Sequence, residues 1–305
     1  MKISILVPTY NRVDHIIKQL ANFEVIFSSS DIDYEIIIGD NSTNNDTLNY
    51  VSTLENSHYI YFKNVDNIGY DSNVQKCFKA ASGDYIWLIG DKNYFTRDDF
   101  FAIVNELKES PDALIVSNRQ DYKIYNNVSD VIEDVGFRLS LLCTTIVRGD
   151  SVKYLEKSNK YLGYDFIHIG IIFEYLCTLD SVYVKWYPKS IFHPWTENRI
   201  SWFDKRYRVF ACNWFKTIMS LPNQIGIDAK LNCLRGPING HIFGPKSILR
   251  TRAKGCTIFL KDLKENREFL ELTSHSTYIE NYLAIVVPRY FLIIPYKIYK
   301  LFKRK

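Results

Sequence analysis

No glycine-rich phosphate loop opens this chain. There is no G-x-G-x-x-G after the first predicted strand and no G-x-x-x-x-G-K-[ST] anywhere in its 305 residues, so dinucleotide and P-loop chemistry lack their backbone cradle. Cysteine is sparse and scattered. The six, Cys77, Cys143, Cys177, Cys212, Cys233 and Cys256, form no C-x-x-C or Cys/His spacing, which argues against structural zinc and for free buried thiols in a reducing compartment. The net charge is only +4, no long polar tract suggests disorder, and no internal repeat is visible. No stretch is apolar and unbroken enough to read as a membrane span. The chain begins directly on a predicted strand, so a protein without a signal peptide that stays in the cytoplasm is expected.

What is present is a globular composition, 47% hydrophobic and 24% charged, long enough for one large domain or two small ones. Twenty-two tyrosines suit a surface that handles sugars, lipid headgroups or partners, because the ring is apolar and the hydroxyl polar. Residues 2–8 are a nearly continuous apolar run, the pattern of a strand covered on both faces. Thr9, Tyr10, Asn11 and Arg12 follow, then Ile16, Ile17 and Leu20 at helical spacing. A second strand over 34–39 ends at Asp40-Asn41-Ser42-Thr43. A third, 58–63, leads through 64–69 into a helix over about 71–81 that Gly83 closes. The fourth, 85–89, delivers Asp91-Lys92-Asn93.

Strands and helices alternating at this interval imply a parallel sheet with right-handed crossovers, whose polar loops share the carboxyl edge where ligands sit. A carboxylate, an ammonium and an amide directly after a buried strand suit such a site, and the same residue types also make ordinary turns. The strings Val7-Pro8-Thr9-Tyr10-Asn11-Arg12, Asp40-Asn41-Ser42, Asn67-Ile68-Gly69 with Asn73, and Ala81-Ser82-Gly83-Asp84-Tyr85 running into an Asp-containing turn occupy roughly the first third of the chain. In this order and spacing they resemble the family-2 glycosyltransferases of the GT-A fold, within the branch of bacterial surface-polysaccharide enzymes that includes abequosyltransferases.

That resemblance implies an α/β fold: a GT-A, Rossmann-like, mostly parallel sheet flanked by helices. It implies inverting transfer of a sugar from a nucleotide-sugar donor to a hydroxyl of a lipid-linked glycan, with no nucleic acid among the partners. It further implies that Pro8, Thr9 and Tyr10 border the nucleoside, that Asn11 belongs to the donor site, and that Asp40 accepts a hydrogen bond from the base, as a carboxylate can. Asn67 and Asn73 would lie by the donor, and Arg199 near its diphosphate, where a guanidinium fits. The family usually carries Asp-x-Asp or a run of aspartates at Asp91-Lys92-Asn93, and its last acidic residue holds a divalent cation. Here that residue is Asn93. Mg²⁺ or Mn²⁺ on Asp91 and Asn93 stays open, and so does a metal-independent site in which the Lys92 ammonium offsets the diphosphate charge.

The general base is expected from Asp165 or His168, three residues apart on one face of a helix within 161–176. Asp165 suits the family's chemistry and His168 has the pKa nearer neutrality, although the pair reads equally as a helix cap and a core histidine. Farther on, His193 and Trp202 are candidates for lining the site. Strand-like runs are also expected over 113–117, 141–148 and 182–186, the last at an edge, with a polar excursion over 121–134 between them. The transferase domain is placed at 1–202, a helical appendage at 203–277, and an amphipathic basic tail at 278–305. The tail joins tyrosines and bulky apolar residues to Lys and Arg, the composition of a segment lying on the inner face of the cell membrane. The other reading is a non-catalytic nucleotide-sugar-binding or assembly protein that kept the fold. A nucleotidyltransferase would call for a basic glycine-rich loop after the first strand, which is absent.

Overall fold

The computed structural model describes residues 1–28, 30–119, 121–195, 203–236 and 242–303. They divide into two compact units: Met1–Val131 with Arg138–Glu197 and Leu221–Ile225, and Ile132–Phe137 with Asn198–Ser220 and Gly226–Lys305.

The first unit is a sheet wrapped by helices. Its first half is β1 (Lys2–Thr9), α1 (Val13–Phe27), β2 (Asp33–Asp40), α2 (Asp46–Val51), β3 (Tyr59–Lys63), α3 (Tyr70–Ala80) and β4 (Tyr85–Leu88). Then come β5 (Asn93–Tyr94), α4 (Arg97–Leu107), β6 (Ala113–Val116), β7 (Lys123–Tyr125), the first residues of α5 (Val128–Val135), β8 (Thr145–Arg148), α6 (Ile167–Leu176), β9 (Val184–Tyr187) and β10 (His193–Pro194). The eight-stranded order is β3-β2-β1-β4-β8-β6-β9-β7, with β5 and β10 forming a separate ribbon. β1 pairs in parallel with both β2 and β4, in a register that sets Thr9 opposite Asp40. β8 runs antiparallel to β4 and to β6, so β4 and β6 point the same way.

The apolar runs became strands because both faces are covered. Ile3, Ile5, Leu6 and Val7 of β1 and Ile36, Ile37 and Ile38 of β2 are completely buried, as a parallel sheet requires. Trp87 of β4 stacks on Phe95 at 5.0 Å and meets Phe192 edge-on at 5.7 Å, each such pair adding about 0.5–1.5 kcal/mol beyond its buried area. Gly83 does not cap α3, which ends at Ala80 and passes into extended backbone at Ala81. Its role is close approach: a Cβ there would stand 2.7 Å from Ser4 Oγ and 2.9 Å from the Lys2 carbonyl. The excursion over 121–134 folds into the outer strand β7 and most of α5, so β9 lies between β6 and β7 instead of at an edge. Of the run 141–148, only Thr145–Arg148 is strand, after the 3₁₀ turn Leu142–Thr144.

The second unit is helical: α7 (Trp214–Met219), α8 (Ile227–Arg235), then Pro245–Ala253, Leu260–Glu265, Arg267–Thr273, Tyr278–Val286 and Tyr290–Lys303. Gly255, at φ 95°, follows the helix Pro245–Ala253 and separates it from the next two. Buried polar groups join them. Arg206 donates to the Ile242 carbonyl (2.9 Å) and to Thr251 Oγ1 (3.3 Å), and Tyr207 OH donates to Asn281 Oδ1 (2.7 Å). Tyr278–Val286 starts on a Thr277/Glu280 capping box, and Arg252 donates to the Ala284 and Val287 carbonyls at its far end, where a cation suits the helix dipole.

Candidate active site

Side chains cross-link the loops that leave β1, β2 and β4 at the shared carboxyl edge. Asn11, at φ 51°, donates its N–H to Ser42 Oγ (2.8 Å) and accepts from the Thr43 N–H (3.0 Å). The Thr9 hydroxyl donates to Asp91 Oδ2 (3.1 Å), and Arg12 Nη1 donates to both Asp91 oxygens (2.9 and 3.2 Å). Beneath the loops runs a chain of buried amides. Asn41 donates to the Gly69 carbonyl (2.9 Å), Asn64 to Asn41 Oδ1 (2.8 Å) and Asn73 Oδ1 (3.0 Å), and Asn73 to the Gly39 carbonyl (2.8 Å). A satisfied network of this kind fixes one loop arrangement.

On this floor Tyr10 is exposed and Pro8 half-buried, while Asn67 is exposed and accepts from the Gly69 N–H at 3.0 Å. Asp40 is fully buried, accepting from the Ser42 N–H and the Tyr61 hydroxyl at 2.8 Å each. Its carboxylate therefore ties the end of β2 to β3 and to the loop that follows β2. Asn73 is likewise buried with its amide committed to the scaffold.

Asp91 is buried and Lys92 half-buried, and β5 carries Asn93, whose amide lies 3.8 Å from Cys143 Sγ. Burial first, and the Arg12 guanidinium second, lower the Lys92 ammonium from its ordinary value, with Asp91 opposing them. The Lys92 carbonyl accepts from the Trp195 N–H (3.0 Å), and Tyr94 stacks on Trp195 at 4.4 Å. Arg199 and Trp202 lie outside the described residues.

This donor set does not fit a divalent cation. Both Asp91 oxygens already accept from a guanidinium and a hydroxyl, with a second cation beside them. No group of three His, Cys, Asp or Glu able to hold a metal is found among the described residues.

The two candidates for the base part company. His168 is buried in α6 with Nε2 3.2 Å from the Leu139 carbonyl, and burial pushes its pKa down to about 4. It is walled off from solvent, the setting of a core histidine. Asp165 stands two residues before α6, half-exposed, at φ 64°, a left-handed conformation that is sparsely populated and concentrates at functional positions.

Asp71 keeps Asp165 there. Its Oδ2 accepts from the N–H groups of Gly163 (2.8 Å) and Asp165 (2.9 Å), and its Oδ1 from that of Ile167 (3.2 Å). Because Asp71 opens α3 just past the carboxyl end of β3, these bonds bring Asp165 to the edge that carries Asp91.

Burial raises the Asp71 carboxyl from 3.8 to about 6, against the pull of those N–H groups. With the folded value above the ordinary one, the group adds stability at pH below about 4 that fades as pH rises through about 6. Asp71→Asn cannot accept all three bonds. It should cost about 1–3 kcal/mol and flatten the fall in thermal stability between pH 4 and 6. A variant that melts like the wild type with the same pH slope would refute this role.

Arg12 and Asp71 were not singled out from the sequence. Their partners lie 79 and 92–96 residues away, and only the β1–β4 pairing and the α3–α6 contact bring them together. Arg12 was readable as a cation in the first polar loop, whereas Asp71 looked like any residue in a helix's first turn.

Residues 4–159 match the profile of the family described as Glycosyl transferase family 2. Abequosyltransferase RfbV of Salmonella typhimurium is 24% identical over 201 residues, which cover 56% of this chain and 60% of that protein, so the chain spans less than two thirds of this curated relative's length. Among solved structures, S. aureus TarS 1-349 superposes with a TM-score of 0.57 at 14% identity, covering 90% of this chain and 81% of that one. Mannosyltransferase PcManGT from Pyrobaculum calidifontis, solved with GDP-Man and Mn²⁺, gives 0.57 at 13% identity over 93% and 86%. The structures establish a shared GT-A fold. The profile match, spanning just over half the chain and the loops described above, establishes that the protein belongs to glycosyl transferase family 2.

Proposed function

We propose that this chain is an inverting glycosyltransferase, moving a sugar from a nucleoside-diphosphate donor to a hydroxyl of a lipid-linked glycan in surface-polysaccharide synthesis. The gathering of Arg12, Asp91 and Lys92 at the carboxyl ends of β1 and β4 carries this reading. Two cations beside the amino end of α1 make a site for a diphosphate, while the exposed Tyr10 and Asn67 border the nucleoside. The cations do the work that the Mn²⁺ bound by the mannosyltransferase would do, and Asp165 takes the acceptor's proton. RfbV, TarS complexes with UDP-GlcNAc, and the GDP-Man complex supply the analogy for substrate class.

The test is thermal stabilisation by a panel of UDP, GDP, CDP, TDP and CMP sugars, each with Mn²⁺ and with chelator. A donor at about 100 times its Kd adds about 2.7 kcal/mol, and one nucleotide class should stand out equally in both conditions. Silence across the panel would overturn the reading. The second reading, a binding protein without turnover, is favoured by the guanidinium on Asp91, and stabilisation without transfer would select it.

The protein would work as a peripheral protein on the cytoplasmic face of the membrane. No helix among the described residues is long and apolar enough to cross a bilayer. The last two helices leave Ile279, Leu283, Val286, Tyr290, Phe291, Ile294 and Ile298 exposed, next to Arg289, Lys297 and the basic terminus. Apolar area beside basic residues suits anionic lipid, each Lys or Arg adding about 1 kcal/mol near the surface. Deleting residues 290–305 should abolish co-sedimentation with phosphatidylglycerol vesicles. Undiminished sedimentation of the truncated chain would rule the membrane role out.

A further inference from the structure

The two helices that end the chain do not carry its basic face alone. Pro245–Ala253 packs against both Tyr278–Val286 and Tyr290–Lys303, and neither stretch of sequence involved, 245–257 or 281–305, contains an Asp or Glu. Lys246 and Lys254 are exposed on the first, Arg289 and Lys297 on the second. Acidic side chains of the adjoining helices are already engaged. Asp262 accepts from the N–H groups of Tyr207 (2.9 Å) and Arg208 (3.1 Å), Glu265 pairs with Lys261 at 3.7 Å, and Glu280 accepts from the Thr277 N–H at 2.9 Å. The charge of this face is therefore one-sided, and a partner of the opposite sign suits it.

One of these cations has a prepared seat. Arg289 stands at the bend between the last two helices, after Pro288. Arg252 already donates to the Ala284 and Val287 carbonyls, so the carbonyl end of Tyr278–Val286 makes no demand on it. The Arg289 guanidinium instead rests against the main chain at Gly255, where a Cβ would stand 2.9 Å from Nη2 and 3.8 Å from Nη1. Glycine at this left-handed position leaves room for it, with the exposed Lys254 next in the chain. Among the described residues Arg289 has no hydrogen-bond or ion-pair partner.

A guanidinium fork matches the paired oxygens of a phosphate. Here the fork is flanked by Val286, Tyr290 and Phe291, all exposed. A soluble anion would gain nothing from those three side chains, whereas a lipid offers its phosphate to the fork and its acyl layer to the apolar groups.

We propose that Arg289, seated on Gly255 beside Lys254, binds the phosphodiester of an anionic lipid headgroup while Val286, Tyr290 and Phe291 enter the apolar layer. The inference rests on the membrane reading above and adds to it a specific headgroup contact and a third helix, Pro245–Ala253, on the docking face.

The test is co-sedimentation of the full chain with phosphatidylcholine vesicles containing phosphatidylglycerol, at fixed ionic strength. Diffuse attraction makes any one surface cation worth about fivefold in affinity, and Lys297→Gln should show that loss. Arg289→Gln should weaken binding at least about twentyfold, because a fork that pairs with the phosphate is lost along with the charge. Arg289→Lys keeps the charge without the fork and should still weaken binding severalfold. Millimolar inorganic phosphate should not displace the protein. Arg289 is exposed and unbonded, so both variants should melt like the wild type. Wild-type binding by Arg289→Lys, or a loss in Arg289→Gln no greater than in Lys297→Gln, would overturn the headgroup site and leave the tail's membrane role, which the 290–305 deletion tests by itself. Displacement by phosphate would assign the contact to a free anion and overturn the lipid, and a wild type that ignores the vesicles would end both readings.

Discussion

Asp165→Asn should lower kcat by about 10²–10⁴-fold, the usual contribution of a positioned general base, and leave nucleotide-sugar stabilisation as it is. The variant is a clean probe because of the backbone. At φ 64° most side chains are strained, but asparagine tolerates this region nearly as well as aspartate. The Asp71 bonds go to main-chain N–H groups and do not depend on the Asp165 side chain. The substitution therefore removes a proton acceptor while keeping the side chain's size and the backbone that Asp71 holds. Asp165→Ala would confuse lost chemistry with a disturbed loop. KM for the donor should stay within about twofold of the wild type in Asp165→Asn. Full turnover in this variant would end the case for Asp165, and with His168 buried the base would have to come from elsewhere.

The second large effect is expected at the cationic pair. Arg12→Ala and Lys92→Ala should each reduce kcat/KM by about 10²–10³-fold, the scale seen when one stabiliser of developing charge is removed. Arg12→Ala carries a structural cost as well. It takes two of the hydrogen bonds from the buried Asp91 carboxylate and leaves the Thr9 hydroxyl at 3.1 Å, a loss worth about 1–3 kcal/mol of stability.

It should also change the metal response. Wild-type turnover is expected to persist in excess chelator. In Arg12→Ala the bared carboxylate becomes a ligand for Mn²⁺, and millimolar Mn²⁺ should restore part of the activity. Wild-type activity that dies in chelator and returns with Mn²⁺ would mean that the guanidinium leaves Asp91 when the donor arrives, and that the metal does the work assigned here to Arg12 and Lys92.

The first half of the fold was legible because β1, β2 and β4 are buried on both faces, so their apolar runs stand out between polar loops. The later strands were harder. β6, β8 and β9 have four residues each, too few for a period to show, and β7 has three. Their order in the sheet depends on pairings that no local pattern encodes. For the site, the loop residues around Asp91 were legible because they follow a strand directly. The hydrogen bonds that Asp40 and Asn73 make with Tyr61, Ser42, Gly39 and Asn64 join separate strands and loops, so no local pattern shows them. Asp165 and His168, three positions apart, look alike in sequence, and the fold alone decides that one faces water and the other the core.

The chain of buried asparagines under the loops has a thermodynamic consequence for whatever binds above it. Ordering a residue's backbone costs about 1–2 kcal/mol, and at Asn41, Asn64 and Asn73 that ordering is complete in the free protein. A ligand arriving at this floor orders little besides itself. Its affinity should then follow the contacts it makes, and change with the side chains on the crest, such as Tyr10 and Asn67, far more readily than with those of the floor.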